Sequence, residues 1–204
     1  MSKITKYLRH EGLIGTGKKV WHLMSRLDSK TYFFESTQTL YSNNNSHIIF
    51  HELQPDLLQQ FEDIKFFEHV SGNEYINKDN KKILMAYIDD EPVGYVAAEH
   101  GIDKKIHGLG RFILSDSESW IGPTYVMREY RGKGISSLLI SEIMRILKED
   151  GITSYFTAIN SDNIASQKAF INNGFKKIGS VIAQKKGKNT LIDGDKIKKK
   201  FCNC

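Results

Sequence analysis

Residues 126–140 read VMREYRGKGISSLLI, an apolar strand end that passes through a short turn rich in arginine and glycine straight into a helix. Residue types in that order can hold a phosphate. Gly132 and Gly134 open backbone conformations closed to residues with a Cβ and let a ligand approach closely. The first turn of the following helix points unpaired N–H groups, and the positive end of its dipole, into the loop. Arg131 and Lys133 add positive charge at the same place. The turn made by Arg131, Gly132, Lys133, Gly134, Ile135 and Ser136 is therefore expected to bind a pyrophosphate.

A second glycine turn competes for a phosphate. Residues 12–18 spell G-x-x-x-x-G-K, the beginning of a triphosphate loop. Lys19 stands where a Ser or Thr would hold magnesium, no apolar strand precedes Gly12, and residues 20–27 read as a strand where a helix is required. A plain glycine turn is the better account of Gly12 to Lys18.

The elements that must position the first loop follow from periodicity and turn signals. Residues 19–27 and 31–35 read as strands, followed by the polar loop SNNNS at 42–46 and a strand over 47–53. Pro55 opens a helix expected to reach about residue 69, with Leu57, Leu58, Phe61, Ile64 and Phe67 near the helical period. Strands at 82–88 and 93–98 flank Asp89, Asp90, Glu91 and Pro92, which predicts a hairpin. Strands at 111–114 and 120–127 continue the antiparallel run. The helix after Gly132 carries an apolar face of Ile135, Leu138, Leu139, Ile143 and Leu147, and Gly151 stops it. A strand at 153–158, a helix at 163–172 and a strand at 175–183 complete the pattern. This order predicts a mixed α/β sheet rather than a doubly wound parallel one.

Composition narrows the class. A chain of 204 residues that is 40% apolar supports one well-cored domain. No run of about 18 apolar residues exists, and MSKITKYLRHEG lacks the apolar stretch of a signal peptide, so the expectation is a cytoplasmic protein with no integral membrane segment. Cys202 and Cys204 form a C-x-C pair with no further ligands, and no metal is expected. From Gln184 onward, seven lysines and two aspartates carry the whole net charge of +5. Since the remainder is formally neutral, the charge describes a solvated lysine-rich segment and not a nucleic-acid surface.

Arg131, Gly132, Lys133, Gly134, Ile135 and Ser136 resemble the R/Q-x-x-G-x-G/A signature of the GNAT superfamily, the acyl-CoA-dependent N-acetyltransferases. Asn163, Ala165, Ala169, Phe170, Gly174 and Phe175 are similar to that family's N-x-x-A-x-x-x-Y-x-x-x-G-F stretch, with Asn163, Phe170, Gly174 and Phe175 at the spacing it shows. The resemblance implies a central, mostly antiparallel sheet with a splayed strand pair and flanking helices. It divides the chain into an extension over 1–45, serving as an acceptor-site or oligomer element, an acyltransferase domain over 46–183, and a lysine-rich segment over 184–204. It further implies acetyl-CoA as cosubstrate, a small-molecule amine as partner, and a monomer or homodimer.

Residue roles carry over with the motifs. The 131–136 turn would cradle the CoA pyrophosphate without a metal ion. Main-chain groups of Val126 and Met127 would pair with the pantetheine arm. Asn163 would reach the cofactor or act as an N-cap, or both, and Ser166 would add a contact. Ser136 replaces the usual Gly or Ala. Phe170 stands where many relatives carry a tyrosine that protonates the departing thiolate, which a phenyl ring cannot do. Tyr155 is assigned as the replacement acid, with Tyr125 as the other tyrosine near in sequence. Glu118 is assigned as the base that takes the amine's proton, ahead of Glu99 and Asp116, while His100 and His107 lack a placed partner. The aromatic bias of Trp21, Tyr32, Phe33, Phe34 and Tyr41 suits an acceptor pocket or a protein core equally. Three acceptor readings stay open: a small amine such as an amino sugar or amino acid, a protein or peptide amine, or a non-catalytic acyl-CoA-binding module.

Overall fold

The computed structural model describes residues 29–39, 47–53, 80–101, 103–106, 110–183 and 191–201. The expected helix at 55–69, the expected strand at 19–27, the glycine turn at 12–18, His107 and both cysteines lie outside the described residues. The strands are β1 (Ser29–Ser36), β2 (Ile49–Glu52), β3 (Lys81–Ile88), β4 (Glu91–His100), β5 (Lys104–Ile106), β6 (Gly110–Phe112), β7 (Glu118–Val126), β8 (Ser154–Asn160), β9 (Lys176–Ala183) and β10 (Leu191–Asp193). The helices are α1 (Ile135–Glu149), α2 (Ile164–Asn172) and α3 (Asp195–Lys200).

Eight strands form one sheet in the order β10-β9-β1-β8-β7-β4-β3-β2. Every adjacent pair is antiparallel except β7 and β8, which are parallel. The mixed sheet expected from the sequence is therefore present, and its one parallel joint falls in the middle. The β3–β4 hairpin turns on Asp89 and Asp90 alone, at φ +50° and +65°, a two-residue turn in which both carboxylate residues adopt the left-handed region. Glu91 and Pro92 already belong to β4. Gly110–Phe112 does not join the main sheet as expected but pairs with β5 in a separate ribbon, with a single bridge from Phe112 to Phe201.

One face of the sheet is covered by α1. All five of its expected face residues are buried, joined by Ile140 and Met144, and they pack on Val96, Ala98, Ile121 and Val126. Each such side chain contributes about 1.5–3 kcal/mol of transfer free energy. The opposite face carries an aromatic cluster of Phe33, Phe112, Trp120, Phe156 and Phe201, with Phe112 lying 5.4–5.7 Å from the other four rings. These offset and edge-on contacts add to the area they bury.

The two ends of the chain behave differently from their composition. Ser29–Ser36, within the N-terminal extension, is an interior strand paired on both sides, to β8 and to β9. The lysine-rich segment is not wholly solvated. Its α3 buries Ile197 completely, Phe201 joins the aromatic cluster, and Lys196 and Lys200 reach Glu35 and Glu118. An apolar residue every fourth position on a short helix outweighs the lysines between them. No described helix is long and apolar enough to cross a membrane.

Candidate functional site

The site is a gap in the sheet. β7 and β8 pair only over Glu118↔Ser154, Ser119↔Tyr155 and Trp120↔Phe156. Beyond Trp120 each strand follows its other neighbour. β8 is held by β1 through Asn160, while β7 is held by β4 through Val126. A bulge starts the divergence: Ile121 faces Ala98 and Thr124 faces Val96, so β7 carries one extra residue at Gly122-Pro123. Bulges bend the strand that holds them, and proline, lacking an N–H, is tolerated there.

The result is a groove of about 360 Å³. Trp120, Gly122, Pro123 and Thr124 form one wall, and Thr157, Ala158, Ile159 and Asn160 form the other. Asn163, Ser166 and Phe170 of the α2 segment line it as well, and so does Lys104. Met127 N–H donates to Val93 O at 2.9 Å, so Met127 faces β4. Because strand groups alternate, the N–H groups of Thr124 and Val126 point the other way, into the gap. The main-chain pair available to a ligand is thus Thr124 and Val126, not Val126 and Met127. The Thr124 hydroxyl is buried there without a hydrogen-bond partner, which marks a place for a polar ligand group.

The glycine loop follows β7, one wall of this groove, and leads into α1. Gly132 and Gly134 have φ +82° and +80°, and a Cβ at either would meet nothing within 4 Å. Glycine is therefore required by conformation, and the space above it is open. Gly134 caps α1 without any side-chain bond, and its carbonyl accepts from Ser137 and Leu138. Arg131 N–H donates to Arg128 O at 3.2 Å, while the N–H groups that open α1, those of Ile135 and Ser136, are left to a ligand. Arg131 does not simply add charge to the loop. Its Nε–H donates to Val126 O at 2.9 Å and its guanidinium lies 5.7 Å from the Tyr125 ring centre, bracing the end of β7. Lys133 packs 5.1 Å from the Tyr130 ring centre.

Asn163 caps α2, its Oδ1 accepting from Ser166 N–H at 3.2 Å, and also lines the groove. Phe170 lines it too, nine-tenths buried and edge-on to Phe175 at 4.9 Å. The assigned catalytic residues lie elsewhere. Tyr155 is buried in the core, its hydroxyl donating to the carbonyls of Ile152 and Met144 at 3.1 and 3.2 Å. Tyr125 stacks on Tyr95 at 5.9 Å. Asp116 is exposed in the turn before β7.

Glu118 holds α3 to the sheet. Its carboxylate accepts from Ser115 N–H at 2.8 Å and from the Lys200 ammonium. Burial pushes this carboxyl up, but the Lys200 ammonium and the Ser115 N–H outweigh it, so the net shift is downward. A carboxyl lowered on folding stabilises above its unfolded value of about 4.3 and loses that contribution as pH falls through the folded value. Glu118→Gln is therefore expected to cost about 0.5–1 kcal/mol near pH 7 in urea unfolding. The difference from wild type should shrink as pH falls below the unfolded value of about 4.3 and through the lowered folded one; a cost unchanged by pH would remove the ion pair as its cause.

The carboxylate that pairs with a groove-lining residue is Glu99. It is 3% exposed, faces Trp120 across the β4–β7 ladder, and pairs with Lys81 at 3.5 Å and with the groove-lining Lys104. Its sequence neighbours gave no reason to rank it above Glu118, since only the strand register brings it to Trp120.

Comparison with known proteins places this architecture. The chain belongs to the acetyltransferase (GNAT) family, whose model matches residues 46–175. No curated protein matches the sequence. Among solved structures, it is similar to a putative GNAT acetyltransferase from Novosphingobium aromaticivorans, with TM-score 0.55 and 12% identity over 75% of this chain and 62% of that one. A GCN5-related N-acetyltransferase from Kribbella flavida gives TM-score 0.55 and 10% identity over 85% of this chain and 63% of that one. The chain thus spans about three fifths of the length of both. AAC(6')-Iy, solved with a bisubstrate analogue, CoA-S-monomethyl-acetylneamine, gives TM-score 0.51 and 18% identity over 64% and 92%.

Proposed function

We propose that this protein moves an acetyl group from acetyl-CoA to the primary amine of a small molecule, such as an amino sugar or amino acid, by direct attack in a ternary complex. The observation that carries the reading is the β7–β8 gap, which exposes two main-chain N–H groups along its length, with the left-handed glycine loop that follows β7. The residues fit the cosubstrate. A pyrophosphate suits the N–H groups of the 131–136 turn, and an amide-bearing arm suits Thr124 and Val126, paired as a strand would be. The thioester, when bound, supplies an activated acyl carbon. The chain's part is to hold it in the groove that Trp120 and Lys104 line, whose volume of about 360 Å³ favours a small amine as acceptor.

Asn163 separates the two parts of its role by substitution. Asn163→Ala is expected to lose about 1 kcal/mol of stability with the cap and to weaken CoA binding several-fold. Asn163→Ser, which keeps a capping oxygen, should restore the stability but not the affinity. Full recovery of both by Ser would leave Asn163 a cap alone.

The test of the reading is thiol release from acetyl-CoA, followed with a chromogenic disulfide across amino sugars (neamine among them), amino acids, polyamines and peptides. Release with small amines supports it, and release with peptides alone would make the protein a peptide acetyltransferase. Phe170, which carries no hydroxyl of its own into the groove, favours one other reading, a module that binds acyl-CoA without turnover. That module would be stabilised by CoA and release no thiol with any acceptor.

A further inference from the structure

Phe170 lines the groove without a hydroxyl, Tyr155 commits its hydroxyl to backbone carbonyls in the core, and Tyr125 is stacked against Tyr95. Among the described residues that line the groove, Lys104 is the only one whose side chain titrates below pH 12. Its partner Glu99 faces Trp120 across the β4–β7 ladder, next to the Trp120↔Phe156 pair after which β7 and β8 part. Its ammonium pairs with the buried Glu99 carboxylate of β4, which also meets Lys81 of β3. Asp103, its neighbour in the chain, faces Arg111 at 3.9 Å instead.

We propose that Lys104, seated by Glu99, is the acid of the transfer and gives its proton to the departing thiol sulfur. This rests on the acyl-CoA reading above. As the bond from the acceptor nitrogen to the acyl carbon forms and the carbon–sulfur bond breaks, Nζ passes one proton to the sulfur. The neutral Nζ then takes the proton that the acceptor nitrogen sheds in becoming an amide. Lys104 ends as it began, and no further reactant is needed.

The surroundings suit that task. Burial first, and the nearby Lys81 charge second, lower Lys104 to about 8. A donor there is matched to a thiol near 8.5, whereas an ordinary lysine near 10.4 would hold its proton too firmly. Because the acid must be protonated, its contribution is present below about pH 8 and lost above it. Glu99 fixes the ammonium toward the groove, and Lys81 keeps Glu99 balanced if Lys104 is replaced.

The experiment uses the whole chain and CoA itself as probe. Binding is read by thermal shift, and the ultraviolet absorbance of the bound thiolate is titrated against pH for wild type, Lys104→Arg and Lys104→Gln. A cation at this position should make the bound thiol about tenfold easier to ionise than free CoA in wild type and Lys104→Arg. Lys104→Gln should return it to the free value. With an acceptor from the panel, both variants should lose about 100-fold in kcat, since arginine keeps the charge but cannot hand over the proton. CoA binding with identical thiol titration in all three proteins, or wild-type turnover by Lys104→Arg, overturns the role of Lys104 and leaves the acyl-CoA reading standing. Absence of CoA binding to wild type overturns both.

Discussion

Gly134→Asp is expected to abolish CoA binding while the protein stays folded. Gly134 sits at φ +80° with open space around the position of a Cβ, so an aspartate can be accommodated at a cost of about 1 kcal/mol for the left-handed backbone. As the residue that precedes α1, it even offers the helix dipole a favourable negative charge. The same charge stands where a pyrophosphate would be held. Two like charges about 4 Å apart near a protein surface repel by roughly 4 kcal/mol, or about 10³-fold in Kd. Calorimetric titration of CoA into the variant and wild type measures the effect directly. Gly134→Ala, which adds strain without charge, should lose only about tenfold by the same measurement. An aspartate variant that binds CoA like wild type would mean that the phosphates lie somewhere else.

A large loss of stability is expected from Gly94→Val. A Cβ on Gly94 would lie 2.7 Å from the backbone oxygen of Tyr125 and 3.3 Å from both Leu139 Cδ1 and Val126 Cγ2. A side chain can turn aside, but a backbone oxygen in the middle of a ladder cannot move without its strand. Valine adds two further methyl groups to the junction of β4, β7 and α1. Overpacking of this kind costs about 3 kcal/mol or more, a fall of about 6–12 °C in Tm for a chain of this size. Since β7 must shift to make room, the Thr124 and Val126 N–H groups move with it, so CoA affinity should fall alongside stability. Thermal unfolding of Gly94→Val within 2 °C of wild type would show that β4 and β7 approach less closely than described.

Much of this was legible in the sequence, for local reasons. The α1 face, the α2 cap at Asn163 and the glycine loop are written within a few residues of each other, and each was placed where the structure has it. What could not be read was register over long separations. β1 pairs with partners more than a hundred residues away, so nothing near Ser29–Ser36 says that it closes the sheet between β8 and β9. That strand also lies outside the family match over 46–175, yet it is what holds β8 away from β7. The exchange of Met127 for Thr124 has a similar cause. One extra residue at the bulge decides which N–H groups face the gap, and hydrophobic alternation alone does not reveal it. Glu118 and Tyr155 were sensible choices by residue type, but each is held by partners that only tertiary packing supplies, Lys200 from α3 and the carbonyls of Met144 and Ile152. Glu99 near the end of β4 and Lys104 at the start of β5, five residues apart, meet in an ion pair.

Amide hydrogen exchange with and without CoA tests the central claim most directly, because the claim concerns named backbone N–H groups. With CoA bound, protection should rise at Thr124, at Val126, through the 131–136 turn and at the start of α2 around Asn163. Strands β2 and β3, across the sheet from the gap, should be unaffected. Protection confined to other segments, or none at saturating CoA, would contradict the placement of the cosubstrate between β7 and β8.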